Sequence, residues 1–429
     1  MLFAARVQDI MWALYAVTAF TGLASAFPQP LLGNGLTRRA NEEKAGLGVE
    51  LELGKVTIEG KKNIKPEERQ SVKGAKIIPL NFKPPPMTNW VLTAEVTADD
   101  TLRIYTEAIV DGTKNKVGDH KTSSIGEEVF KYFDAWAPCS KSKCMVQIEG
   151  HDNLGPWEVK WPADPPKVET LKFDPQVTTA VPMEGIQKLL ADWKTKVPSD
   201  KNALVGSPGS NAKELKILRQ DDFKSFTKIK PSDVDAEFLG AFTLLTAYAT
   251  LAHTSNKQDG PKKIIPIMPR TDFVTLYSKY VEPKIKSQLG DKTTLLQIVQ
   301  KISGQKGDIA KQVFTWTGND KATKPKENWD GRDADLKSGK LEVQKFLGHL
   351  QGDDKGANKL DLVKLMDKTL RNGQIGGLGD KLEQTGTNKV APLFELRELA
   401  PIQGADLGKK LGEFEDKVIA YYAGKFDNN

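Results

Sequence analysis

The sequence holds 429 residues, 39% hydrophobic and 28% charged, with 36 glycines and 24 prolines. That composition excludes a collagen, a polytopic membrane protein and a wholly disordered chain. Sixty-two basic residues against 56 acidic ones give a net charge of +6, too mild on this length for a nucleic-acid footprint.

The chain opens with Arg6 and Asp9, then an uncharged run from Ile10 to Ala26. Ala24-Ser25-Ala26 fits a small-x-small cleavage rule, and Phe27-Pro28 follows. Residues 1–26 therefore read as a secretory signal peptide. Residues 27–39 read as a short pro-segment ending in the dibasic pair Arg38-Arg39. The expectation is a secreted, extracellular protein with no stable membrane insertion after the signal is removed. Without Arg6, Asp9, Arg38 and Arg39 the net charge falls from +6 to +4. Near neutrality directs attention to a local site rather than a charged face. Cys139 and Cys144 are the only cysteines. In a secreted chain, two so closely spaced predict one small-loop disulfide.

Val49, Leu51 and Leu53 alternate with Glu50 and Glu52, which is the period of a half-buried strand. Further strands are expected at 75–82, 90–97 and 102–110, the last two as a hairpin around Ala98-Asp99-Asp100, and at 145–149 and 157–161. A helix is expected at 124–137. Five prolines then punctuate residues 162–182, and the pattern turns mainly helical. Helices are expected at 183–197, at 238–252 (apolar nearly all round, hence buried) and from a Thr271 or Asp272 cap to Tyr280. More follow at 293–302, 341–350, 362–370 and 413–422. Short strands are expected at 264–268 and 391–399, with a Gly-rich loop at 373–379. The expected fold class is α+β. N-terminal strands and a C-terminal strand would form a mostly antiparallel sheet, with a large helical middle section. Residues 40–429 would make a single large domain, β-rich over 48–175 and mainly helical over 183–429.

The absences narrow the chemistry. His120, His151, His253 and His349 stand singly, and no nucleophile elbow, phosphate loop or dinucleotide fingerprint occurs. Acidic pairs remain. Glu50 and Glu52 are i and i+2 on a strand, so both carboxylates leave one face. Such a pair suits a hard cation such as Mg²⁺ carried with substrate phosphates, although on the motif alone a solvated strand face is the more ordinary reading. Glu395 and Arg397 share a face in Pro-Leu-Phe-Glu-Leu-Arg, as a metal and phosphate site or as a plain ion pair, and Glu107 stands in Tyr-Thr-Glu-Ala-Ile-Val, where a solvated strand face is the ordinary reading. Arg270 sits at a strand-to-helix turn, where guanidinium and helix N-terminus could hold an anion.

In order, these motifs resemble those of the amidoligase-like, glutamine-synthetase-type carboxylate–amine ligases. Gly48–Glu52 fits the Gly-Val-Glu-x-Glu first strand, and Trp90–Glu95 a Trp-x-Leu-Thr strand ending in an acid, with Glu for the commoner Asp. Glu107–Val110 fits a Glu-x-Ile-Val strand. Gln176 stands where the pattern more often has His, and Glu395–Arg397 answers the closing Glu-Phe-Arg strand. The resemblance implies Mg and ATP as cofactors. Glu50, Glu52, Glu107 and Glu395 would hold the metal, Arg270 and Arg397 would stabilise phosphate, and Gln176 would complete the catalytic set. A carboxylate would be activated as an acyl phosphate and attacked by an amine of a small-molecule or protein substrate. The strings Asn-Trp-Val-Leu-Thr-Ala and Pro-Arg-Thr-Asp-Phe also resemble secreted fungal proteins, some toxin- or enterotoxin-like. They leave open a non-catalytic secreted effector or toxin-associated binding protein.

Overall fold

The computed structural model describes residues 44–60, 64–65, 68, 71–95, 103–161, 167–195, 202–207, 210–226, 229–251, 266–289, 294–304, 309–311, 313–315, 340–351, 382–385 and 389–425. The expected signal and dibasic segments, the Ala98-Asp99-Asp100 turn, the helix at 362–370 and the loop at 373–379 lie outside them. The fold class is α+β, and the chain groups into two compact units, Met1–Gln176 with Pro401–Asp416 and Val177–Ala400 with Lys417–Asn429.

In the first unit the strands are β1 (Leu47–Glu59), β2 (Ile77–Pro79), β3 (Trp90–Glu95), β4 (Arg103–Val110), β5 (Met145–Ile148), β6 (Trp157–Lys160) and the start of β7 (Lys172–Ala180). β1 pairs with β4 and, beyond a bulge between Leu53 and Thr57, with β6. β4 pairs with β3, β6 with β5, and β5 with β2, all antiparallel. A bridge between Lys76 and Thr93 joins β2 back to β3. The six strands thus close into a ring. Their inward positions are apolar, and Ile58, Ile77, Leu92, Ile104, Val146 and Val159 are all buried.

β7 lies within the proline-punctuated residues 162–182 and carries Gln176, which the family pattern places on a strand. It is a nine-residue strand in spite of Pro175. Phe173 and Lys172 pair with Ile402 and Gln403, whereas the stretch from Val177 pairs with a different strand. Pro175 falls in the gap, where that side asks no ladder hydrogen bond of it.

Helix α1 (Thr122–Asp134) buries Ile125, Val129, Tyr132 and Phe133. Tyr132 meets Trp90 edge-on at 4.9 Å between ring centroids. Cys139 and Cys144 are disulfide-bonded, tying the turn after α1 to β5. Lys121, at the head of α1, makes no side-chain cap. The buried carboxylate of Glu415 supplies one instead. It accepts from Gly118 N at 2.9 Å, His120 N at 2.8 Å and Thr122 Oγ1 at 2.6 Å. Glu415→Ala would orphan these donors, and we expect a loss of about 2 kcal/mol in urea unfolding.

In the second unit the end of β7 pairs with β12 (Lys389–Leu396), which also pairs with β8 (Ile267–Pro269) and β11 (Leu382–Thr385). β9 (Val313–Thr315) and β10 (Lys340–Glu342) form a separate ladder. Helix α2 (Met183–Thr195) packs on α3 (Ala236–Leu251). α3 is buried on all sides from Ala241 to Ala249, as its unbroken apolar sequence demands. Asp235 caps it, accepting from Phe238 N at 2.8 Å. The helical segment expected to stop at Tyr280 runs on through a π turn, Tyr277–Val281, to Leu289. Among the described residues no helix is long and apolar enough to cross a membrane.

Candidate functional site

The first unit carries the acidic group. The register of β1 with β4 sets Glu52 opposite Glu107, and that of β4 with β3 sets Glu107 opposite Thr93. Directly paired residues share a sheet face, as do i and i+2 neighbours. Glu50, Glu52, Glu107 and Glu95 therefore project from one face of three adjacent strands. The other face holds Leu51, Leu53, Leu92 and Ala108, all buried, and this apolar anchoring fixes which way the glutamates point. Gln176 reaches the group from β7, donating from Nε2 to Glu52 Oε1. Its own Oε1 is buried and accepts no hydrogen bond among the described residues.

Within this group Glu52 is exposed, Glu50 and Glu95 are intermediate, and Glu107 is only 7% exposed. Burial, then the charges of Glu50, Glu95 and Glu52, push the Glu107 carboxyl up to about 9, with Lys73 opposing. At neutral pH Glu107 is accordingly a neutral acid. Among the described residues no three His, Cys, Asp or Glu side chains form a ready-made metal site. The carboxylates act on one another through space, with Lys73 paired to Glu95 at one corner of the face.

The second unit carries the basic group. Glu395 lies on β12 opposite Met268 of β8, and its side chain has no exposed surface. Arg270, just past β8, and Arg397, just past β12, each form an ion pair with it. Two guanidinium groups on one carboxylate leave a net charge of +1. The backbone holds both arginines in place: Arg270 N donates to Leu393 O at 2.7 Å and Arg397 N to Pro266 O at 2.8 Å. Glu398 follows with φ of 56°, and its carbonyl presses on Gly206 so closely that a Cβ there would stand 1.6 Å away. Arg397 also lines a shallow hollow with Trp193, Leu204 and Ile267. Burial pushes the Tyr248 hydroxyl up, Glu395 adding to this and the arginines opposing it. The helix N-terminus beside Arg270 is already served, because Asp272 Oδ1 accepts from Thr275 N at 2.8 Å.

The structure thus brings Glu50, Glu52, Glu107 and Gln176 together in one unit, and Arg270, Glu395 and Arg397 together in the other. Three participants lie outside the residues that the sequence singles out. Glu95 enters there only as the end of a motif strand, although its i+2 relation to Thr93 would place it. Lys73 and Tyr248 have no local signal.

No protein-family model matches the sequence, and no curated protein matches it. Two solved structures resemble the fold distantly. One is a glutamate-to-glutamine mutant of the ACD domain of a VgrG toxin from Vibrio cholerae, in complex with ADP and Mn²⁺. It is 10% identical, with a TM-score of 0.41, and the match covers 88% of this chain and 99% of that one. The other is a Vibrio cholerae toxin from the MARTX/VgrG family. It is 12% identical, with a TM-score of 0.32, and covers 86% and 97%. Both TM-scores are too low to carry a functional argument.

Proposed function

We propose that the acidic face of the first unit binds a divalent cation together with nucleotide phosphates, as in an ATP- and Mg-dependent carboxylate–amine ligase. The observation that carries this reading is the charge imbalance around Glu107. Burial, reinforced by the three neighbouring carboxylates, keeps Glu107 protonated, and a buried amide oxygen beside them has no donor among the described residues. A hard dication satisfies both, because oxygen ligands and excess negative charge are what it requires. Glu50, Glu52 and Glu107 would hold it, with Gln176 Oε1 as a neutral ligand. Once bound, it would neutralise phosphate charge and polarise the oxygens of a transferring phosphoryl group.

The chain's own groups have defined tasks in this reading. Glu107 must release its proton as the cation enters, so affinity rises with pH. Glu50 and Glu52, the more accessible pair, orient the incoming ligand. Arg270 and Arg397 leave one positive charge over after neutralising Glu395, which favours an anion in the second unit. Glu395 is left to the guanidinium groups. A small-molecule or protein acceptor would complete the reaction.

The test is calorimetric titration of the full chain with Mg·ATP. We expect measurable binding by wild type and at least roughly tenfold weaker binding by Glu50→Gln, the loss of a charged ligand costing about 1.4 kcal/mol or more. Absence of heat from wild type, or equal affinities for both, would overturn the assignment.

A further inference from the structure

The acidic face has a cation of its own, held by a built element. Val72-Lys73-Gly74-Ala75 is a tight turn in which Val72 O accepts from Ala75 N at 3.0 Å. Gly74 has φ of 77°, the value that the third residue of a type II turn requires and that other residues resist. The turn is fastened to β3, since Gly74 N donates to Ala94 O at 2.8 Å and Ala94 N to Ala75 O at 2.9 Å. Val72 is fully buried beneath it. Lys73 is thereby set beside the last residue of β3, and its Nζ meets Glu95 Oε1 at 2.6 Å. Its side chain keeps 42% exposure against 25% for Glu95, so the ammonium can leave toward solvent without disturbing the core.

Resting on the cation reading above, we infer that Lys73 is a tethered place-holder that neutralises the Glu95 corner of the acidic face until a divalent cation takes over that charge. Three features point this way. The lysine sits on a rigid turn rather than a free loop. It pairs with the glutamate farthest along the face from Glu50. Its charge also acts on Glu107, where it opposes the three neighbouring carboxylates. A dication bound among those carboxylates must therefore work against Lys73, and the lysine lowers affinity while relieving repulsion among the carboxylates before the cation arrives. The device sets the concentration at which the site fills.

The test uses the full chain and MgCl₂ alone as the probe, with wild type, Lys73→Met, Lys73→Arg and Glu50→Gln titrated in parallel and thermal unfolding as a folding control. Removing one partly exposed ion pair is expected to tighten Mg²⁺ binding about two- to fivefold in Lys73→Met, with Lys73→Arg close to wild type. An unchanged or weaker affinity in Lys73→Met would overturn the place-holder role, provided wild type binds and Glu50→Gln binds more weakly. If wild type takes up no Mg²⁺, the cation reading fails and this inference with it. A repeat with Mg·ATP separates one more role. Loss of nucleotide affinity in Lys73→Met, with Mg²⁺ affinity unchanged, would make Lys73 a phosphate contact instead and overturn the proposal.

Discussion

Glu107→Gln is expected to make the protein more stable at neutral pH and less able to bind a cation. Glu107 titrates at about 9 in the folded chain against 4.5 for an ordinary glutamate. Between those values the folded state keeps a proton that the unfolded state has lost. Stability contributed by this residue is therefore highest below about pH 4.5, falls as pH rises toward 9 and levels off above that. At pH 7 the accumulated cost is about 3 kcal/mol, since each step of one in pH above the unfolded value adds about 1.36 kcal/mol. Glutamine fills the same volume and has no charge to lose. We expect Glu107→Gln to match wild type near pH 4, to exceed it by about 2–3 kcal/mol at pH 7, and to gain further at pH 9. Urea unfolding at those three pH values is the check, and parallel pH profiles would refute the raised titration point. A gain of that size would mark Glu107 as a residue kept at the expense of stability.

Glu395→Ala should produce the largest loss. It would leave Arg270 and Arg397 facing each other without their common carboxylate, and only 12% and 19% of their side chains are exposed. Breaking a buried ion group by deleting its centre typically costs about 3–5 kcal/mol, because the remaining charges stay desolvated. Replacing all three members by methionine should recover much of that stability, since the desolvation penalty disappears with the charges. Chemical denaturation of the single and triple variants gives the comparison. A single variant within about 1 kcal/mol of wild type would show that the arginines escape to solvent.

The parts of this protein that follow local rules are legible in its sequence. The alternation over 49–53 places Glu50 and Glu52 on one face, the spacing of Glu395 and Arg397 places them together, and Asp272 caps its helix as a short polar residue does. What escapes is set by pairing across long separations. Arg270 joins Glu395 because β8 lies beside β12, a neighbour relation that no window of sequence contains. Glu107 reads as an exposed strand residue, and only the three-strand register reveals it as a buried acid among carboxylates. β7 is hidden from its local pattern because Pro175 forbids a central strand in general, yet is tolerated where the partner changes. The sequence likewise shows two acidic motifs far apart and leaves Lys73, fixed by turn geometry, among ordinary surface lysines.

The Glu415 clamp has a consequence for how the protein is made. The first unit includes residues 401–416, and the carboxylate that caps α1 comes from that late stretch. A ribosome adding about 5–20 residues per second needs roughly 10–45 s to cover the intervening 177–400. Through that interval the start of α1 waits with its amide donors open and the acidic strands already synthesised. The second unit's long insertion must therefore be accommodated before the first unit can finish. The stretch that carries Glu415 is thus the piece that locks the head of α1.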